Sequence, residues 1–320
     1  MNRAAVPAPV TQVLDAAGTW LPAAMAGIEG RLAEIAAAPG GPLSEDATAT
    51  LSAGGKRLRP LLVLICAAPE STRSAVRGAV AVELVHMATL VHDDVLDAAP
   101  LRRGHPTVLA RSGRPRAVAT GDLLLSRAFA ELAADGDGRQ VALLAGASVA
   151  LARGELAQRR DAFDVTITAD RYLERCRLKT AALFECACAI GDGDADLAGF
   201  GRRVGLAFQL LDDVLDVTGP PERTGKARGT DLLDGTVTLP LIAARERDPA
   251  LADLELGSVD PAAAEELCDR IVATGATNEV RALARAHVAE AKAELAGAGL
   301  ELERRRLLDL VADGVVERYA

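Results

Sequence analysis

The pentapeptide Asp-Asp-Val-Leu-Asp occurs twice in the 320-residue chain, at residues 93–97 and again at residues 212–216. Each copy stands at the end of a long apolar stretch. On an α-helix, residues four apart lie on one face, and the immediate neighbour is rotated by about 100°. The spacing therefore predicts that Asp93 and Asp97 converge on one point while Asp94 points aside.

The second box repeats this geometry, with Asp212 and Asp216 on one face and Asp213 beside them. Carboxylate oxygens without His or Cys suit Mg²⁺, which keeps several waters and usually also binds substrate phosphate. Acidic residues near a helix end are usually solvated, but the flanking residues 83–92 and 204–211 are too apolar for a solvated face. Carboxylates clustered there repel one another unless cations hold them. The sequence therefore predicts two facing, metal-binding walls.

Composition favours an all-α fold. Half of the residues are hydrophobic but only 2% are aromatic, so helices packed through small aliphatic side chains are favoured over a β-sheet. Apolar residues recur at three- and four-residue spacing, and no segment alternates convincingly as a strand would. We expect about ten to twelve helices in a single large helical bundle around a central cavity, forming one domain over residues 1–320.

Breaks at Gly, Pro and Asp clusters divide the chain into predicted helices. The first runs from about Val10 to Ala37, and a second ends at residues 54–55. Further helices are expected over residues 71–97, 114–133, 139–160, 170–190, 196–217, 261–273, 277–296 and 300–319. A loop rich in Gly and charge is expected over residues 218–234.

Charge and cysteine content exclude several classes of function. The formal net charge is −9 with a pI near 5.1, which disfavours a nucleic-acid partner because such partners require a basic face. Five Cys without a CxxC pair indicate neither a zinc site nor a disulfide framework. The N-terminus lacks the apolar core of a secretory signal, and the weakly polar run over residues 141–152 is too short to span a bilayer. We expect a soluble, cytoplasmic protein without a transmembrane segment.

Basic residues cluster in glycine-bearing loops near the two boxes. Surface Lys and Arg are common, so each cluster alone is weak evidence, but their placement suits a polyanionic substrate. Arg fits bidentate phosphate contacts, and Lys supplies a point charge. The clusters are Gly54–Pro60, Leu101–Thr107, Lys179–Thr180 and Gly225–Lys226.

From about Gly54 to the C-terminus the chain resembles the trans-isoprenyl diphosphate synthases, or polyprenyl synthetases. Six motifs in the right order carry the resemblance: GGKRLRP, HMATLVHDDVLD with LRRGHPT behind it, ATGDLLLSRAF, LKTAALF, FQLLDDVLD and GKARGTDLLDGTVTLPLI. The resemblance implies head-to-tail condensation of an allylic diphosphate with isopentenyl diphosphate. It also implies the isoprenoid synthase fold, commonly as a homodimer, with N-terminal helices in residues 1–53. The first aspartate stretch is most similar to medium- and long-chain bacterial synthases.

The resemblance implies roles for individual residues at matching positions. Asp93, Asp97 and Asp212 are implied as direct Mg²⁺ ligands, with Asp94, Asp213 and Asp216 bonding metal-bound water or neighbouring cations. Three Mg²⁺ ions are expected with substrate bound. Arg102, Lys179 and Lys226 are implied as the clamp on the allylic diphosphate. Lys56, Arg59, His86 and Arg103 are implied as the isopentenyl diphosphate site, and Thr180 and Gln209 as oxygen dipoles that stabilise the allylic cation.

One position departs from the family pattern. The family often has Lys after the Gly of its DLxxGxxTLP segment, where this chain has Thr236, and Arg228 is close enough in sequence to substitute. Product length is expected to exceed that of farnesyl diphosphate, because the small Ala88 and Thr89 precede the first box without an aromatic plug. Phe129 is one possible floor of the tunnel.

Two other functions are compatible with parts of this pattern. A class I terpene cyclase also uses DDxxD, but its second metal box is normally an NSE-type triad, whereas this chain repeats DDVLD. A non-catalytic subunit of a heteromeric prenyl synthase would tolerate loss of the acidic boxes, and both are intact here.

The condensation requires no base from the protein, since the departing diphosphate can accept the proton. His86 and His92 are therefore poor candidates for a general base. For His92 a packed, hydrogen-bonded core histidine is the plainer interpretation.

Overall fold

The computed structural model describes residues 8–67, 72–192, 197–219, 227–252 and 254–317. Within these ranges the chain is overwhelmingly helical, which confirms the all-α prediction. Contacts divide the chain into two compact units. Unit 1 comprises residues 1–148, 183–198 and 298–311, and unit 2 comprises residues 149–182, 199–297 and 312–320. The expectation of one domain stays a prediction.

The elements follow one another in this order. The first part contains α1 (Ala8–Ala16), α2 (Trp20–Ala37), α3 (Gly41–Ser52), α4 (Leu58–Cys66), α5 (Thr72–Leu96), β1 (Leu101–Arg102), β2 (His105–Pro106), α6 (Val108–Ser112), α7 (Arg114–Ala133) and α8 (Gly138–Asp161). The remainder contains α9 (Ala169–Cys176), a π-turn (Arg177–Ala181), α10 (Ala182–Asp192), α11 (Ala198–Thr218), α12 (Thr230–Leu233), α13 (Leu239–Arg245), 3₁₀ turns at Pro249–Leu251 and Leu256–Ser258, α14 (Pro261–Ala273), α15 (Ala276–Gly297) and α16 (Leu302–Glu317).

The expected first helix is two helices. Gly18 adopts a left-handed conformation with φ of 67°, and the chain turns there between α1 and α2. Glycine reaches this conformation without the steric cost that a Cβ imposes, which is why it commonly ends helices. The prediction of one helix from about Val10 to Ala37 is therefore wrong, because the chain breaks at Gly18.

Helices α4 and α13 were not predicted. Residues 60–66 of α4 are all buried, as are residues 239–244 of α13. A helix that is apolar on every side shows no helical period, so periodicity cannot distinguish it from a buried strand. The short hairpin β1–β2 and helix α6 were also missed. Helix α12 lies inside the segment that was expected to be a loop.

In unit 1, α5 is the central helix and packs against α7, α4 and α2. Helix α10 also approaches α5 closely at Gly78. A Cβ at that position would lie 2.5 Å from Cγ2 of Ile190 on α10. Within the described residues, one segment, 73–96, is long and apolar enough to cross a membrane, and 67% of its most apolar window is buried inside the structure. That burial is typical of a core helix.

In unit 2, α13 packs against α15, α14 and α9. Tyr172 on α9 and Phe200 on α11 are among its fully buried large side chains. A buried arginine, Arg175, ties α9 to the segment before α13 by donating to the carbonyl of Val237. These contacts fix α9 and α11, which carry the polar groups described below.

Candidate active site

The first aspartate box occupies the last turn of α5. The N–H of Asp97 donates to the carbonyl of Asp93 at 2.8 Å, so the helical geometry continues to the end of the box. Asp93 is half-buried and Asp97 is exposed, whereas Asp94 is only 5% exposed. Asp94 thus lies on a different face from Asp93 and Asp97, as the helical spacing predicted, and the convergence of Asp93 and Asp97 on one metal ion stays a prediction.

Asp94 is paired with Arg102 from the following hairpin. Nε of Arg102 donates to Oδ1 of Asp94 at 2.6 Å. Burial raises the pKa of the Asp94 carboxyl, and the neighbouring Arg102 opposes that rise. The pair therefore keeps a carboxylate inside unit 1 that would otherwise be costly to ionise.

The hairpin itself is a two-residue turn in which Arg102 pairs with His105. Arg103 and Gly104, its two central residues, have φ of 53° and 77°, as a type I′ turn requires. The strand before the turn presents Arg102 to Asp94, and Nη1 of Arg103 donates to the carbonyl of Gly54. A tight turn thus holds two adjacent arginines against two different parts of unit 1.

The GGKRLRP loop contains a second pair of arginines with different surroundings. Arg57, left-handed at the start of α4, is neutralised by Glu83 at 2.6 Å and Glu29 at 2.7 Å. Arg59 stacks over the ring of Phe184 at 4.4 Å, and its Nε is buried without a hydrogen-bond partner. Burial lowers the pKa of Arg59 to about 10 even though Glu83 is near. Arg57 was not among the predicted site residues. Its two ion pairs connect the start of α4 to α2 and α5.

The predicted isopentenyl diphosphate residues lie together in unit 1. A small cavity of about 40 Å³ is lined by Gly54, His86, Asp94, Arg102 and Arg103. Burial, followed by the positive charges of Arg59 and Arg103, holds the pKa of His86 well below its usual value. His86 is therefore neutral at pH 7, with one ring nitrogen able to donate a hydrogen bond and the other able to accept one. Lys56, in the GGKRLRP loop, is half-buried.

His92 packs against α7, where its Nε2 lies 3.4 Å from the carbonyl of Val118 and 3.4 Å from Asp122. Its ring occupies the space that a side chain at Gly121 would need. The ring is thus held by packing between α5 and α7, but its side chain is 34% exposed, so His92 lies at the edge of the core and not inside it as expected.

The second aspartate box is organised around a buried hydrogen-bond chain in unit 2. Thr180 Oγ1 donates to Oε1 of Gln209 at 2.7 Å, and Nε2 of Gln209 donates to Oδ1 of Asp213 at 2.6 Å. The hydroxyl of Tyr172 donates to Oδ2 of Asp213 at 2.5 Å. Both oxygens of Asp213 are therefore occupied, and the amide of Gln209 is held in one orientation.

This chain gives Asp213 a different electrostatic environment from Asp94. Burial raises the pKa of Asp213 to about 7, and the nearby Asp212 adds to the rise, while Tyr172 and Gln209 oppose it. Asp212 is half-buried, and Asp216 is 3% exposed and accepts the N–H of Asp231 at 3.1 Å. The two boxes share a sequence but differ in burial and in partners. That they face each other stays a prediction.

Lys179 lies in the π-turn between α9 and α10, and its ammonium pairs with Glu155 of α8. Glu155 also accepts from Nε of Arg159 at 2.8 Å. Tyr172, Gly154 and Glu155 were not predicted as site residues. A hydroxyl or carboxylate far away in sequence leaves no local signal, so only the fold identifies these partners.

The sequence suggested two further cations near the allylic diphosphate, Lys226 and Arg228, and the structure describes only Arg228. Lys226 lies outside the described residues. Arg228 donates through Nε to the carbonyl of Val217 and pairs with Asp269 at 2.7 Å and Glu265 at 3.4 Å. The suggestion that Arg228 substitutes for a lysine at Thr236 is therefore not supported, because its guanidinium is already held by two carboxylates of α14.

The two small residues before the first box do not share a face. Successive residues are rotated by about 100°, so Thr89 lies about 40° from Asp93 around the α5 axis and Ala88 about 140°. Thr89 is half-buried, whereas Ala88 is 1% exposed. Of the two small residues, only Thr89 therefore lies on the Asp93 face of α5, one turn before the box. Phe129 on α7 is half-buried.

In the parts of the chain that the structure describes, no group of three or more His, Cys, Asp and Glu side chains is placed to hold a metal ion. The donors in the boxes are carboxylates only. This set is suited to a hard cation that keeps waters and shares substrate phosphate.

A model of the polyprenyl synthetase family matches residues 42–271. The chain belongs to the polyprenyl synthetase family. It is 41% identical over 241 residues to heptaprenyl diphosphate synthase component 2 of Geobacillus stearothermophilus, covering 72% of this chain and 75% of that one. Its fold matches heptaprenyl diphosphate synthase of Staphylococcus aureus with a TM-score of 0.88 and 30% identity, over 94% of this chain and 99% of that one.

A third match is a polyprenyl synthase of Caulobacter crescentus CB15, solved in complex with calcium and isoprenyl diphosphate. It has a TM-score of 0.86 and 33% identity, over 97% of this chain and 98% of that one. These matches confirm the family, the isoprenoid synthase fold and the activity class that the motifs implied. The protein is a trans-polyprenyl diphosphate synthase, a prenyltransferase of isoprenoid biosynthesis that elongates prenyl chains head to tail.

Proposed function

We propose that this enzyme uses Mg²⁺ to condense an allylic diphosphate with isopentenyl diphosphate, giving a product longer than farnesyl diphosphate. In the reaction, the carbon–oxygen bond of the allylic diphosphate breaks and the diphosphate leaves with the electron pair. The double bond of isopentenyl diphosphate attacks the allylic cation, and the departing diphosphate accepts the proton that is lost. A cytoplasmic location is part of the proposal, on the sequence argument alone.

The observation that carries the proposal is the buried, unpartnered Nε of Arg59. A buried N–H donor that lacks a hydrogen-bond partner is costly unless a ligand or water supplies one. Arg103 and the neutral His86 line the small cavity beside it, and the charges of Arg59 and Arg103 both act on His86. A diphosphate is the anion that several adjacent cations would hold, so we assign Lys56, Arg59, His86 and Arg103 to isopentenyl diphosphate.

The allylic diphosphate is assigned to the aspartate boxes and to separate cations. Asp93, Asp97 and Asp212 would hold Mg²⁺, and Asp94, Asp213 and Asp216 would orient its waters or neighbouring cations. When bound, Mg²⁺ stabilises the negative charge that develops on the leaving diphosphate. Arg102 and Lys179 add fixed positive charge, with Lys226 as a further expected contact. Relatives support the divalent cation: the synthase from Caulobacter crescentus was solved with calcium and isoprenyl diphosphate.

Thr180 and Gln209 are assigned to the allylic cation. Gln209 uses Nε2 to bond Asp213, which leaves its Oε1 on the side of Thr180. Oxygen dipoles held in advance of the reaction stabilise developing positive charge without reorganising during the step. A flip of the amide would place a donor there instead, and the bond to Asp213 opposes that flip.

Homodimer formation is supported by two exposed apolar side chains on α8. Val149 and Leu156 are seven residues apart, on one helical face, and they are 60% and 63% exposed. We propose that a second copy covers these two residues. Light scattering of the purified enzyme should give twice the 33.1 kDa chain mass, and Leu156→Glu should shift it to the monomer. An unshifted dimer would place the interface elsewhere.

A heteromeric enzyme is the second candidate. The relative from Geobacillus stearothermophilus is named component 2 of its synthase, which is the observation that favours it. Purified protein should be incubated with Mg²⁺, isopentenyl diphosphate and each of dimethylallyl, geranyl, farnesyl and geranylgeranyl diphosphate. Products beyond C15 support the proposal. No product from any primer would contradict a self-sufficient synthase, and activity restored by a co-expressed partner would establish the heteromer.

A further inference from the structure

The ammonium of Lys179 is carried on a flexible four-carbon stem, so a defined position requires other groups to hold it. Its backbone lies in the π-turn Arg177–Ala181, where the N–H of Ala182 donates to the carbonyl of Arg177, five residues earlier. Single π-turns within α-helices are rare and are frequent at functional sites. The regular helical hydrogen bonding between α9 and α10 is therefore interrupted at Lys179, the residue that is assigned to the allylic diphosphate.

Helix α8 contacts this turn through Gly154. A Cβ at Gly154 would lie 2.5 Å from the backbone N of Lys179 and 2.8 Å from its Cα. Real Cβ atoms do not approach backbone atoms that closely, so any other residue at this position would displace the turn. The absence of a side chain is what allows α8 to support the Lys179 backbone directly.

The residue after Gly154 contacts the other end of the same lysine. Glu155 forms an ion pair with Nζ of Lys179, with side chains that are 14% and 26% exposed, respectively. Arg159, one turn further along α8, bonds the second oxygen of Glu155 at 2.8 Å and holds the carboxylate from its outer side. Although burial opposes it, these two cations keep the pKa of Glu155 below its usual value, so the carboxylate is ionised at neutral pH.

We propose that Gly154 and Glu155 are positioning residues for Lys179, with Gly154 setting its backbone and Glu155 directing its ammonium toward the allylic diphosphate. This inference rests on the proposed role of Lys179. Neither residue needs to touch substrate. A point charge fixed before the reaction stabilises the leaving diphosphate without a reorganisation cost during the step.

The first test is a double-mutant cycle between Glu155→Gln and Lys179→Ala, using steady-state kinetics with both substrates varied. Glu155→Gln should lower kcat by about 10- to 100-fold, with the KM for isopentenyl diphosphate unchanged. Glu155→Asp, which keeps the charge on a shorter side chain, should retain part of the activity. In the Lys179→Ala background, Glu155→Gln should cause no further loss. An equal loss in both backgrounds would show a general structural role and would overturn the proposal.

The second test compares two glycines of α8. A contact of 3.4 Å is ordinary, so Gly154→Ala must move the turn by about 1 Å, and displacements of that size cost about 100-fold in rate. Gly146→Ala is the matched control, because a Cβ there meets nothing within 4 Å. We expect Gly146→Ala to leave kcat unchanged. Wild-type kcat in a folded Gly154→Ala enzyme would contradict the backbone part of the proposal, and the Glu155 cycle decides the rest if Gly154→Ala does not fold.

These outcomes are distinct from failure of the proposed function. If Lys179→Ala turns over like the wild type, Lys179 is not the allylic cation and the proposed function loses that assignment. If Lys179→Ala is impaired while Glu155→Gln is normal, only the positioning inference fails.

Discussion

Raising the pH should destabilise the substrate-free enzyme through Asp213. Burial raises the pKa of this carboxyl from 3.8 to about 7 in the folded state. The folded protein therefore holds a proton that the unfolded chain has already released between about pH 4 and pH 7. The stability contributed by the neutral carboxyl is complete below the unfolded pKa and is lost as the pH rises through the folded value.

The expected magnitude follows from one proton. In this window the free energy of unfolding falls by up to about 1.4 kcal/mol per pH unit. Between pH 5 and pH 7 the loss should be about 2 kcal/mol, because the slope flattens near the folded pKa. For a chain of this size that corresponds to a decrease of about 5 °C in Tm. Above pH 8 this contribution should no longer change.

The matched variant is Asp213→Asn, which keeps the side-chain volume and removes the titration. Its amide can still accept the Tyr172 hydroxyl, and any mismatch with Gln209 lowers stability equally at every pH. Thermal unfolding should be followed by circular dichroism in EDTA, from pH 5 to pH 8.5, for both proteins. Between pH 5 and pH 7 the Tm of the wild type should fall by about 5 °C relative to the Tm of the variant. Parallel curves would show that Asp213 is already ionised in the folded protein and would refute the reasoning.

Three further results are expected. Asp93→Ala should lose most turnover yet unfold at the same or a higher temperature, because it removes a like charge from the box; wild-type turnover at saturating Mg²⁺ would contradict the metal assignment. Lys179→Ala should chiefly lower kcat, whereas Arg59→Ala should chiefly raise the KM for isopentenyl diphosphate, since a lost ground-state contact appears in KM; a change in the allylic KM alone for Arg59→Ala would reverse the assignment. Thr89→Phe should shorten the products seen by chromatography after dephosphorylation, while Ala88→Phe, at a sealed position, should cost about 1–3 kcal/mol of stability; an unchanged product distribution in active Thr89→Phe would mean that the tail does not pass this residue.

Local geometry is what the sequence determined by itself. The helix over residues 114–133 and the helix over residues 261–273 have the predicted bounds, because Pro near their first residues and strong periodicity are local signals. The separation of Asp94 from Asp93 and Asp97 also follows from the helical repeat alone, whereas the fold decided that Asp94 is the buried member of the three. The order of motifs was sufficient to identify the family.

The tertiary structure decided which partner each polar group has. Identical pentapeptides give Asp94 an arginine and Asp213 a tyrosine and a glutamine, because those partners come from other elements of their units. The same holds for Arg57 and Arg59, two residues apart, of which one is neutralised by glutamates and the other has a buried nitrogen without a partner.

Close packing was equally invisible in the sequence. The contact between Gly154 and the Lys179 backbone joins residues 25 positions apart, and its necessity appears only as a distance. Helix α4 was missed because its buried, uniformly apolar sequence has no periodicity to detect. Helical repeat and turn chemistry act over a few residues and can be read along the chain. Burial, charge pairing and steric exclusion depend on residues that the fold alone brings together.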